Sequence, residues 1–205
     1  MDARLKIDGW SDAVRRESRS RDHAYALPFD HIGEIRVRHM TVRDVSIFTA
    51  LRNRMLSDPF PSVEAFQMNS IVIRDALEFV ALIDYGYDID NRKRFARTKK
   101  RAGKMPVKLL HSEIKRYIDE TFLDTYSTKK HSKTDRYWSN TASVVDLFAG
   151  EYGWTEAETL DLPFRRALQY IRIISKRNNP KEPSNNPSDK LVFDYLAQKN
   201  KVSEK

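Results

Sequence analysis

No cysteine occurs in the sequence, which removes disulfides, thiolate metal sites and cysteine nucleophiles together. That usage fits a reducing compartment. Glycine is scarce, at six in 205 residues. None of the six falls in a Gly-rich phosphate-cradling pattern or in a Gly-x-Ser-x-Gly turn that presents a serine nucleophile. No apolar run approaches the roughly 18 residues of a membrane span. The stretch 1–28 has no apolar segment of the kind a secretion signal carries. The five histidines (His23, His31, His39, His111 and His131) are scattered, with no pair at i, i+4. Asp84, Asp88 and Asp90 crowd together, but a calcium loop needs a different spacing and a closing glutamate. The expectation is a soluble, intracellular, non-enzymatic protein with no cofactor, no metal and no membrane contact.

Acids are missing from one stretch in particular. Between Asp90 and Glu113 there is none, while nine Lys and Arg occur: Arg92, Lys93, Arg94, Arg97, Lys99, Lys100, Arg101, Lys104 and Lys108. Taking those nine from the 37 Lys and Arg leaves 28, against 29 Asp and Glu, so this stretch carries the whole net charge of +8. Any electrostatic function therefore resides there. The block could be a solvated segment, a contact for an acidic protein surface, or a track for a nucleic-acid backbone. A stacking platform would need more rings than Phe95 alone. Residues 91–106 have only Phe95 and Met105 as apolar anchors. They read as an exposed basic loop or frayed helix that contributes nothing to folding. The first eight of these cations, Arg92 to Lys104, are the candidate partner-binding residues.

Along the chain, 1–22 reads as a flexible basic arm. Residues 23–177 read as one mainly helical domain. It opens with a β-hairpin (23–40) whose turn is "FDHIG" and whose Ile35, Val37 and His39 share one side. Thr41, with Asp44 three residues on, predicts a capped helix carrying Val42, Val45, Phe48, Leu51 and Met55 on one face. Pro59 and Pro61 break the chain, and Ser62 caps a long apolar helix over 63–84, ended by Gly86. Ile73, Leu77 and Val80 are its expected core residues. Pro106 opens an amphipathic helix with Leu110, Ile114, Tyr117, Ile118 and Leu123 on its face. A polar loop (127–136), a helix from about 137, a helix capped by Thr155 and Glu158, and a final helix opened by Asp161 and Pro163 follow. Residues 178–205 read as a linker and a short docking segment. Two helix pairs (41–55 with 63–84, and 155–160 with 162–177) are spaced like a helix-turn-helix. The first has a second helix too apolar for a groove. The second carries Arg165, Arg166, Arg172, Lys176 and Arg177, but a core-facing helix with a solvated face explains it better. The fold class is mainly α, a helical body with a small N-terminal hairpin and flexible termini.

Two segments carry a family resemblance. "ALPFDHIGEIRVRHMTVRDVSIFTALRN" (26–53) resembles the opening of baseplate-hub and tail-assembly proteins of tailed bacteriophages, where a hairpin leads through a "VR" strand into a capped helix. "EYGWTEAETLDLPFRRALQYIRII" (151–174) is similar to the closing helices of phage tail-assembly chaperones, with Trp154 ahead of a helix start at Leu162, Pro163 and Phe164. The chain differs from the first pattern at Phe29, where Ser is usual, and by its basic insert. The resemblance implies a tail or baseplate assembly protein, or a virion structural protein, acting by protein–protein contact. Its partners would be other tail or baseplate proteins with an acidic surface, in the host cytoplasm during assembly or in the particle. The alternative is a basic helical nucleic-acid-binding protein.

Overall fold

The computed structural model of the chain describes residues 27, 29–86, 91–122 and 140–178. The expected arm (1–22), the polar loop (127–136), the docking segment, and all of the expected linker but Asn178 lie outside the described residues. So do His23, His131, Asp88, Asp90 and Leu123. Among the described residues, one two-stranded antiparallel hairpin precedes eight α-helices, so the chain is mainly α with an N-terminal hairpin.

The hairpin pairs β1 (Phe29–Ile32) with β2 (Ile35–Arg38), Ile32 opposite Ile35 and Phe29 opposite Arg38. "FDHI" is thus a strand rather than the expected turn. The turn is Gly33–Glu34, and Gly33 takes a φ of +56°, which glycine adopts without strain. Alternation along β2 is as expected: Ile35, Val37 and His39 are buried and Arg36 is exposed. The far edge of β2 is also used. Arg38 N donates to Ile83 O (2.8 Å) and Tyr85 N to Arg36 O (3.1 Å), with Asp84 bridged to Val37.

α1 (Val42–Ala50) begins with the predicted capping box. Asp44 N donates to Thr41 Oγ1 (3.2 Å) and Thr41 N to the Asp44 carboxylate (2.8 Å). It ends before Leu51, which is exposed, and the buried Met55 sits in a 3₁₀ turn (Arg54–Leu56) instead. The long helix expected over 63–84 is two helices, α2 (Val63–Met68) and α3 (Ser70–Leu82). Asn69 separates them in an extended conformation, and its side chain accepts from Ile71 N and Val72 N. An Asn cap of this kind satisfies amides that a helix start leaves open. The break lets Phe66 of α2 meet Phe60 and His111, while Phe79 of α3 meets Phe48 and Tyr117. Val80 is fully buried as expected; Ile73 and Leu77 are only half-buried, and Phe79 and Ala76, not singled out from sequence, line the core.

α4 (Arg92–Ala102) and α5 (Val107–Thr121) follow, then α6 (Asn140–Tyr152), α7 (Glu156–Asp161) and α8 (Phe164–Asn178). Two apolar clusters result. The larger joins the hairpin, α1 to α5 and the 3₁₀ turn; the smaller gathers Val42, Phe148, Ala167 and Ile174, with the rings of Tyr152, Trp154 and Tyr170 against Phe148. The backbone joins them: Val42 N donates to Leu162 O (3.1 Å) and Phe164 N to Met40 O (2.7 Å). Segments 26–53 and 151–174, far apart in sequence, are therefore in direct contact.

Candidate basic interface

The basic stretch is a helix docked on the body, not a loop. Arg, Lys and Ala are good helix formers. Asn91 caps the start, accepting from Arg94 N (3.0 Å), and Lys99, Lys100 and Arg101 occupy the last turn, where the helix dipole favours cations. What anchors α4 is a narrow face of small residues. Thr98 and Ala102, at i and i+4, are buried against α3, and Phe95 is half-buried beside them. A search for large apolar anchors overlooks such a face, because Thr and Ala carry little apolar weight.

The counter-charges that make the docking favourable come from α3 and the turn after it. Asp84, only 4% exposed, accepts from Arg94 Nη2 (2.7 Å), Arg94 Nε (3.1 Å), Gly86 N (2.9 Å) and Thr98 Oγ1. Burial alone would push this carboxyl up. The hydrogen bonds from Thr98, Arg94 and Gly86 and the Arg94 charge outweigh burial and hold it below the usual aspartate range. Gly86 makes room: a Cβ there would run into the Arg94 guanidinium. Lys99 Nζ meets Glu78 at 3.1 Å and lies 5.5 Å from the Phe95 ring centre. Arg101 Nη2 donates to Glu34 O at 3.3 Å.

The eight candidate residues thus divide. Arg94, Lys99 and Arg101 bond to the body, contrary to the expectation that the block contributes nothing to folding. Arg92, Lys93, Arg97, Lys100 and Lys104 are exposed, with no ion pair among the described residues. Lys93, Arg97 and Lys100, at i, i+4 and i+7, lie on the side away from Thr98 and Ala102, and Lys104 continues their row past the helix end. Beside the row is a depression of about 330 Å³, where Asn91, Lys93, Arg94, Arg97 and Arg101 surround the neutralised Asp84.

The other sequence candidates resolve into structural roles. His39 Nε2 donates to Leu27 O (2.8 Å) and His111 Nε2 to Pro61 O (3.0 Å). On α8, Arg165 is buried near Glu120 (3.9 Å), Arg166 and Arg172 are half-buried, and Arg177 pairs with Glu151, so these cations do not form an outward recognition face. The buried Arg165 was not foreseen, since nothing local distinguishes it from its neighbours. Among the described residues no cluster of three or more His, Asp or Glu could hold a metal ion, and no helix is long and apolar enough to cross a membrane. No protein-family model, curated protein or solved structure matches this chain.

Proposed function

We propose that the chain is a non-enzymatic assembly protein whose α4 face holds an acidic surface of another protein. The observation that carries this reading is the outward row Lys93, Arg97, Lys100 and Lys104. It stands on a helix fixed to the body through Asp84 and Glu78, while the rest of the sequence is nearly neutral. Like charges set in one row are unfavourable unless a counter-surface meets them. A rigid helix presents that row with little ordering cost on binding. The resemblance of 26–53 and 151–174, segments that touch through Met40–Phe164 and Val42–Leu162, makes tail or baseplate proteins of a tailed phage the partners to test.

The alternative occupant is nucleic acid. The one ring of the helix, Phe95, is half-buried under Lys99 and is not on the outward face, so base stacking finds no platform there. The test is co-expression with identified tail and baseplate subunits. Wild type should co-purify with one of them, the complex should weaken with salt, and the Lys93→Ser/Arg97→Ser/Lys100→Ser/Lys104→Ser variant should fold normally but lose it. Undiminished co-purification of that variant would refute the reading. Binding of a DNA duplex, with a steep salt slope that the variant flattens, would favour the alternative instead.

A further inference from the structure

Beside the basic row lies a second cavity of different chemistry. It has about 340 Å³ of room between the hairpin turn and the α4–α5 junction. Ile35, Met105, Pro106 and Leu109 give it an apolar side, and Glu34, Arg101 and Lys104 a charged one. Ile35 is a core residue at 2% exposure, so that wall is fixed, while Leu109 is 44% exposed and forms the open side. Gly33 closes the top, where a Cβ would come within 2.6 Å of Met105 Cε. The size is at the small end of ligand sites, suited to a side chain rather than to a large cofactor.

Charge specifies what the side chain belongs to. Arg101 lines this cavity and also the cationic depression beside Asp84, and its bond to Glu34 O holds it between the two. Lys104, the last cation of the outward row, also lines the cavity; Glu34 is its one acidic lining residue. An apolar notch therefore continues a cationic track. Resting on the reading of α4 as a partner face, we infer that the partner segment is an acidic peptide stretch carrying one apolar side chain. Its carboxylates lie along Lys93, Arg97 and Lys100, and its apolar residue seats against Leu109, Pro106 and Met105. A nucleic-acid backbone offers phosphates but no such anchor, and a second copy's α4 would be repelled by the same row.

The test uses the full chain and two short fluorescein-labelled peptides rich in Glu, identical but for one central Leu or Ala. Wild type should bind the Leu peptide about tenfold more tightly, equivalent to about 1.4 kcal/mol. Leu109→Gln, a surface change between good helix formers, should erase that preference and leave the Ala-peptide affinity and the melting temperature unchanged. Lys93→Ser/Arg97→Ser/Lys100→Ser should weaken both peptides alike. Equal wild-type affinity for the two peptides would overturn the anchor while leaving the basic-face reading standing. Equal loss of both peptides on Leu109→Gln would overturn the anchor too. Binding of neither peptide, with a DNA duplex bound, would sink both readings.

Discussion

Replacing Asp84 by Ala tests whether the basic helix is part of the fold. The wild-type carboxylate takes hydrogen bonds from Arg94, Thr98 and Gly86 in a site 4% exposed. Thr98 is itself 3% exposed, so its hydroxyl would lose its acceptor in a place water hardly reaches. An orphaned buried donor costs about 1–3 kcal/mol. The Arg94 guanidinium is 44% exposed and regains water, so its pair with Asp84 adds only about 0.5–1 kcal/mol. A net loss of about 1.5–4 kcal/mol should lower the melting temperature by roughly 3–16 °C for a chain of this size. The α4 amides should also lose protection from hydrogen exchange before those of α3. The pH dependence has a definite sign. A carboxyl lowered in the folded state contributes stability that is fully present above the unfolded value, about 3.9, and drains away as pH falls through the lowered folded value. The gap between wild type and variant should therefore be constant from about pH 7 to 5 and narrow below about pH 4. A variant melting within about 1 °C of wild type at neutral pH, with α4 equally protected, would refute the reasoning and restore α4 as an appendage.

Three further outcomes follow from the core and caps. Phe79→Ala should cost about 3–5 kcal/mol in a denaturant titration, and Leu77→Ala distinctly less, because Phe79 is 0% exposed while Leu77 only flanks the core. Glu120→Ala leaves the buried Arg165 and the half-buried Arg116 short of an acid and should cost about 3 kcal/mol by the same measurement, whereas a surface acid such as Asp119 should cost under about 0.5 kcal/mol. Thr41→Ala, which removes one half of the capping box of α1, should cost about 1 kcal/mol, read as a shift of the urea midpoint at constant slope.

Much of the architecture could be read locally, because it is locally caused. The two capping boxes, Thr41 with Asp44 and Thr155 with Glu158, need only side chains three residues apart, and both form. The apolar stripe Leu110, Ile114 and Tyr117 announces its own buried face. The hairpin was legible from alternation in 35–39, but its turn was misplaced. The choice between "FDHIG" and Gly33–Glu34 depends on which residues meet the helices, with Ile32 and Ile35 both in the core.

What sequence by itself determined, then, is the mainly α class, most helix starts and the location of the net charge. Three things needed the tertiary structure. Asn69 splits an apolar run because Phe66 and Phe79 are required in different parts of the core. Arg165 is buried with its guanidinium 3.9 Å from the carboxylate of Glu120, an acid distant in sequence that no local pattern places beside it. Nine clustered cations form a docked helix because Asp84 and Glu78, brought up by α3 and its extended exit along β2, neutralise one side of it. Local sequence registers the repulsion among those cations; only the fold supplies the acids that offset it, and so decides which cations are spent on the body and which face outward.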